Sequence, residues 1–135
     1  MTAPSSLLDN IDLLADLDRD ARGALAGRCT WRTYGQAQEI ISKENDARDV
    51  YFIASGSARV VNWSYAGREV SFEDIQAGGT FGELAAIDGA PRSATVVALE
   101  ATEVGSIDPE TFMSVILENP ATARRLMERL TAIIR

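Results

Sequence analysis

One stretch constrains this chain more than any other: Phe81 to Val97, which reads FGELAAIDGAPRSATVV. Gly82 opens a very short apolar segment, Leu84 to Ile87, and the turn-forming residues Asp88 to Pro91 close it. A helix of about one turn is not stable by itself, because its nucleation is costly. A fold that builds such a helix uses its N-terminus, where unpaired backbone N–H groups and the positive end of the dipole attract an anion. The stretch therefore predicts an anion-binding turn.

Two charged side chains in this stretch indicate which kind of anion would bind. Arg92 follows Pro91 and supplies a planar, permanently charged fork that suits phosphate. Glu83 supplies a carboxylate, which accepts hydrogen bonds from hydroxyl groups. An acid beside an anionic ligand makes sense only if it neutralises an arginine or meets a hydroxyl. The pair therefore favours a phosphate that carries a ribose over a bare phosphate.

The order of features in this stretch resembles the phosphate-binding cassette of cyclic nucleotide-binding domains. That order is glycine, glutamate, a short helix, proline, arginine and serine. This family includes the bacterial catabolite activator, protein kinase regulatory subunits and cyclic nucleotide-gated channels. The similarity extends to Tyr51–Ile53 followed by Gly56 and Val60, and to Gly78 before the cassette. It covers essentially the whole chain. The implied fold is mostly β with flanking α: an eight-stranded jelly-roll β-barrel with N-terminal helices, an internal one-turn helix and two C-terminal helices.

The resemblance also implies roles for individual residues. Arg92 would pair with the cyclic phosphate, Glu83 would accept from the ribose 2′-hydroxyl, and Ser93 would place a hydroxyl beside the phosphate or the base. The glycine would let the backbone approach closely, and backbone N–H groups would hold phosphate oxygens. The ligand-binding set is Gly82, Glu83, Leu84, Ala85, Arg92, Ser93 and Ala94.

The predicted function is a regulatory sensor that binds a cyclic nucleotide, cyclic AMP more than cyclic GMP, without chemistry on it. No cofactor is implied besides this ligand. The C-terminal helices would pass the signal to an effector domain or partner protein outside this chain. A homodimer through the last helix is a further option, although packing against the barrel explains its apolar stripe equally well. In the family the helix that caps the base tends to be longer than the sixteen residues that follow Asn119 here, so the cap would be short, come from a partner chain or belong to a larger protein of which this is one domain. The alternative is a domain of the same fold that binds no nucleotide and serves dimerisation or scaffolding.

Composition excludes several other classes. The chain has no histidine, which removes histidine-based nucleophile systems and histidine-ligated metals, including those of cupin-type enzymes on a similar jelly roll. The net charge of −7 argues against nucleic-acid binding by this chain alone. No apolar run is long enough for a membrane span, and the N-terminus does not resemble a signal peptide. With the single Cys29, a cytoplasmic location is the default expectation. Twelve arginines against one lysine suggest a GC-rich bacterial genome.

The 135 residues are expected to form one domain, with a helical N-terminus at about 5–28, a barrel at about 30–107 and C-terminal helices at about 109–135. Leucines and isoleucines at helical spacing predict a first helix capped by Ser5 or Ser6, and Asp18 begins a second. Asp108 and Asn119 each precede a proline and predict two further helix starts, with a bend at Asn119. The predicted inward stripe of the last helix is Ala123, Leu126, Met127, Leu130, Ile133 and Ile134. The predicted strands are 31–34, 37–41, 50–54, 58–63, 69–75, 94–99 and 102–107, with a glycine hairpin turn at 55–57 and a further turn at 66–68.

Overall fold

Two antiparallel sheets form the centre of the molecule. The computed structural model describes residues 6–41, 48–63, 70–89 and 94–134. In these ranges the strands are β1 Thr30–Tyr34, β2 Glu39–Ile41, β3 Val50–Ser55, β4 Ser57–Trp63, β5 Val70–Gln76, β6 Thr80–Phe81, β7 Ala94–Ala98 and β8 Thr102–Ile107. One sheet has the order β1-β8-β3-β6 and the other has the order β2-β7-β4-β5. The mostly-β jelly roll predicted from the sequence is confirmed.

The helices flank and interrupt the sheets. They are a 3₁₀ helix at Asp12–Leu14, α1 Arg19–Arg28, α2 Glu83–Asp88, α3 Pro109–Glu118 and α4 Pro120–Ile134. None of the described helices is both long and apolar enough to cross a membrane.

The N-terminal segment differs from the predicted first helix. Residues 6–10 form turns, and the 3₁₀ helix Asp12–Leu14 follows. Ile11 is extended, and the N–H of Asp12 donates to the backbone oxygen of Gly78 at 2.9 Å, so the chain leaves the helical path to meet the loop before β6. The apolar periodicity still marks buried positions, because Leu8 and Leu14 are almost fully buried. Ser5 lies outside the described residues. Asp18 does cap α1, since its side chain accepts from the N–H of Ala21 at 2.7 Å.

Most strand ends lie within one residue of the sequence prediction, and two differences are larger. β2 begins at Glu39 rather than at 37, because Ala37 has a φ of +69° and lies in a turn. The two-residue strand β6, Thr80–Phe81, was not predicted, although it pairs with β3. It places Phe81 against Tyr51, with the two rings nearly parallel and their centroids 5.0 Å apart. The strand leading into α2 is therefore fixed on β3. The predicted turn at 66–68 lies outside the described residues.

Two apolar cores support this arrangement. The larger joins the N-terminal segment and helices α3 and α4 to one sheet, with Phe52 and Phe112 at its centre. The smaller lies between the sheets and contains Ile53 and Val104. A hairpin turn joins β3 to β4: the half-buried Gly56 has a φ of +90°, as the predicted glycine turn requires. A Cβ at this glycine would lie 2.5 Å from a backbone oxygen of the β7–β8 turn.

The two C-terminal helix starts are confirmed. The Asp108 carboxylate accepts from the N–H of Thr111 at 2.7 Å, and this hydrogen bond holds the pKa of the carboxyl below its ordinary value. Asn119 has a non-helical φ of −132° and separates α3 from α4, as the predicted bend requires. Leu126 faces inward, but Met127 is 60% exposed, so the predicted apolar stripe of α4 is wrong at that position. The side chains of Ile133 and Ile134 lie outside the described part.

Candidate functional site

The predicted one-turn helix is present as α2, and two glycines set its ends. Gly82 precedes the helix with a φ of +90°, a backbone conformation that residues other than glycine rarely adopt. Gly89 ends it with a φ of +70°, and its N–H donates to the backbone oxygen of Ala85 at 2.9 Å. A helix of six residues is too short to be stable alone, so the two glycine turns determine where it begins and ends.

The burial pattern of α2 is inverted relative to an ordinary amphipathic helix. The acidic Glu83 is only 6% exposed, whereas the apolar Leu84 is 51% exposed and Ile87 is 41% exposed. Burying a carboxylate is costly unless positive charge or hydrogen bonds compensate for it. Its position in the first turn of a helix gives part of that compensation, because the N-terminal end of the dipole is positive.

A side chain from the last helix gives another part. Arg129 of α4 places its Nε 3.8 Å from Oε1 of Glu83, and its Nη2 donates to the backbone oxygen of Thr80 at 2.6 Å. Arg129 is therefore bound to the strand that enters α2 and to the first residue of α2. The sequence interpretation missed this residue. The signal was present, since Thr122, Leu126 and Arg129 recur at helical spacing, and the first two are buried.

A second arginine of α4 contacts the N-terminal segment. Arg125 makes two hydrogen bonds to the carboxylate of Asp16, at 2.7 and 3.3 Å. The hydrogen bond and charge of Arg125 hold the pKa of Asp16 below its ordinary value. A surface cleft of about 380 Å³ lies beside this contact, and it is lined by Asp12, Leu13, Arg125, Glu128 and Arg129. The N-terminal segment, α4 and α2 thus meet around two arginines of one helix.

The structure brings together part of the predicted ligand-binding set. Gly82 precedes α2, and Glu83, Leu84 and Ala85 form its first turn, where backbone N–H groups have no partner within the helix. Ala94 begins β7 and pairs with Asn62 of β4. Arg92 and Ser93 lie outside the described residues. Among the described residues, no group of three or more histidines, cysteines or acids could hold a metal ion.

A family model described as "Cyclic nucleotide-binding domain" matches residues 31–119, about two thirds of the chain. The chain belongs to this family. The matched region runs from β1 to the end of α3 and contains α2 with both of its glycines.

Relatives of this cyclic nucleotide-binding domain come from two kinds of regulator. It is 32% identical over 93 residues to a cAMP-dependent protein kinase regulatory subunit from Blastocladiella emersonii, covering 68% of the chain and 23% of that protein. It is 30% identical over 104 residues to the cyclic AMP receptor protein of Thermus thermophilus, covering 77% of the chain and 48% of the relative. The crystal structure of the catabolite activator protein from Thermus thermophilus matches with a TM-score of 0.79 at 26% identity, covering 91% of the chain and 58% of that structure. The chain spans about a quarter to a half of the length of these two relatives.

Proposed function

We propose that this chain binds a cyclic nucleotide and acts as a regulatory sensor rather than as an enzyme. The observation that carries the proposal is the buried Glu83, which follows a left-handed glycine at the start of a one-turn helix. A carboxylate in that place suits a ribose hydroxyl, because its oxygens accept hydrogen bonds. The family match gives independent support.

In this proposal the ligand-binding residues are Gly82, Glu83, Leu84, Ala85, Arg92, Ser93 and Ala94, in the roles that the family pattern implies. Arg92 binds the cyclic phosphate and Glu83 binds the ribose 2′-hydroxyl. The N–H groups at the first turn of α2 and at Ala94 hold phosphate oxygens. Cyclic AMP is proposed over cyclic GMP, because the relatives described above are named for cyclic AMP.

The proposed signal travels through α4. Arg129 connects this helix to Glu83 and Thr80, and Arg125 connects it to Asp16. A ligand that contacts Glu83 changes the surroundings of Arg129, so the position of α4 depends on occupancy of the site. The requirement is a ligand that binds one position of α4 more tightly than the other. The receiver of the signal is an effector domain or a partner protein, and the proposed location of this system is the cytoplasm.

A homodimer through α4 is a further part of the proposal. Met127 is 60% exposed on this helix, and removal of a large apolar side chain from water favours association. Sedimentation velocity with and without cyclic AMP tests it: a dimer should appear in the parent and weaken in Met127→Lys. A monomer at every concentration, with and without cyclic AMP, would contradict the dimer and leave the ligand proposal standing.

Calorimetric titration with cyclic AMP and cyclic GMP tests the main proposal. Arg92→Ala should weaken binding about 10- to 100-fold, because a charge-assisted hydrogen bond contributes about 1.5–3 kcal/mol and a tenfold change corresponds to about 1.4 kcal/mol. Arg19→Ala, which removes an exposed arginine at the start of α1, is the matched control and should bind like the parent. If neither nucleotide binds at millimolar concentration, the alternative holds, and the chain is a non-binding domain of this fold used for dimerisation or scaffolding.

A further inference from the structure

A side chain from outside the cassette holds the C-terminal end of α2. The Nε of Arg48, just before β3, donates to the backbone oxygen of Gly89 at 2.9 Å, across 41 residues of sequence. The last carbonyls of a helix lack partners within the helix and carry the negative end of its dipole. A guanidinium group is suited to this place, because it has several donors and a permanent positive charge. Arg48 therefore fixes the point at which the chain leaves α2.

The burial of α2 shows why this end needs an anchor. Its two buried residues, Glu83 and Ala85, belong to the N-terminal half of the helix. Toward the other end, Ile87 is 41% exposed and Gly89 is an exposed residue. Buried residues thus fix the beginning of α2, and the hydrogen bond from Arg48 acts on the opposite, exposed end.

The connection after Gly89 leads to the predicted phosphate-binding arginine. Four residues, 90–93, separate Gly89 from Ala94, which is held in the sheet by its pairing with Asn62. Fixing both ends of a short connection limits where a side chain on it can lie. We propose that Arg48 is a positioning residue for the cyclic nucleotide: by holding Gly89 it fixes one end of the segment that carries Arg92. This inference rests on the proposed function.

Two substitutions separate the hydrogen bond from the charge. In glutamine the Nε2 amide is attached to Cδ, as Nε is in arginine, so Arg48→Gln keeps a donor at the same distance along the side chain. Arg48→Met has similar length and no donor. By calorimetry we expect Arg48→Met to weaken cyclic AMP binding about 5- to 10-fold, as the loss of one hydrogen bond predicts, and Arg48→Gln to remain within about twofold of the parent. Arg19→Met is the control for loss of an exposed arginine.

A double-mutant cycle identifies the route of the effect. If Arg48 acts through the segment that holds Arg92, then Arg48→Met should cost clearly less in an Arg92→Lys background than in the parent. A purely structural loss would cost the same in both. Amide hydrogen exchange without ligand gives a second readout: Gly89 N–H should exchange about fivefold faster in Arg48→Met and at the parent rate in Arg48→Gln.

The outcomes are distinct. If the parent binds cyclic AMP and Arg48→Met binds equally well, the role of Arg48 is wrong and the proposed function stands. If Arg48→Gln is as weak as Arg48→Met, the charge of Arg48 acts on the ligand and the positioning role is wrong. If the parent does not bind, the proposed function fails and the nucleotide-positioning role fails with it, while the exchange rates still decide whether Arg48 anchors α2.

Discussion

The contact between α4 and the start of α2 makes a quantitative prediction for Arg129→Gln. The substitution removes a charge-assisted hydrogen bond of 2.6 Å to the backbone oxygen of Thr80 and an ion pair of 3.8 Å with Glu83. The hydrogen bond contributes about 1.5–3 kcal/mol to the free energy of unfolding. The attraction across 3.8 Å is about 4 kcal/mol at an effective dielectric of about 20. Desolvation of Glu83 and ordering of Arg129, which is one-third exposed, offset most of this, leaving a net of about 1 kcal/mol.

We therefore expect Arg129→Gln to lower the free energy of unfolding by about 2–4 kcal/mol and the melting temperature by about 8–15 °C. Urea denaturation followed by the fluorescence of Trp31 and Trp63 measures the first quantity. Arg124→Gln is the matched control, because Arg124 is exposed on the same helix and its substitution should change stability by less than about 0.5 kcal/mol. The double mutant Glu83→Gln/Arg129→Gln should show a coupling of about 1 kcal/mol.

Equal stabilities of Arg129→Gln and Arg124→Gln would refute this reasoning, since they would mean that α4 gains nothing from its contact with β6 and α2. A loss in Arg129→Gln with zero coupling to Glu83→Gln would refute only the ion pair. In that case the hydrogen bond to Thr80 would account for the seating of α4.

Three further predictions concern the framework of the site. Gly56→Ala should lower the free energy of unfolding by about 3–4 kcal/mol in urea denaturation, because a left-handed alanine costs about 1–2 kcal/mol and its Cβ would lie 2.5 Å from a backbone oxygen. Gly35→Ala is the control: it has open space around it and should change the free energy of unfolding very little. Asp108→Asn should be less stable than the parent at pH 7, and this difference in stability should disappear as the pH falls below about 4. The reason is that the fold lowers the pKa of Asp108, so its stabilising charge is lost on protonation. An unchanged difference in stability at about pH 3 would contradict this. Burial raises the pKa of Cys29 to about 12, so its reaction with a disulfide reagent at pH 8 should be slow and should accelerate on the order of 100-fold in urea, and equal rates would contradict the burial.

The fold could be predicted largely because the chain uses local signals that tertiary packing does not override. Capping by Asp18 and Asp108 depends on a side chain and a backbone N–H three residues later, and both were evident in the sequence. The glycine turn at Gly56 likewise follows from its own backbone conformation. Such features need no knowledge of distant residues.

The errors concern positions where distant contacts decide. The first predicted helix breaks at Ile11 because the next N–H bonds to Gly78, a residue far along the chain. β6 is two residues long and exists through its pairing with β3, so no periodicity reveals it. In the site, Glu83 and Gly82 were identified from a linear pattern, whereas Arg129 and Arg48 enter from other elements. Linear motifs therefore predicted the residues inside the cassette and not the side chains that hold it.

The position of Glu83 makes the proposed ligand and α4 thermodynamically dependent on one another. The same carboxylate lies beside Arg129 and, in the proposed function, receives the ribose hydroxyl. If contact of α4 with Glu83 changes nucleotide affinity by some factor, then nucleotide binding must change the equilibrium constant for that contact by the same factor. A coupling of about 1 kcal/mol corresponds to about a fivefold effect in each direction. In the proposed function, a single buried acid would thus be sufficient for a modest switch.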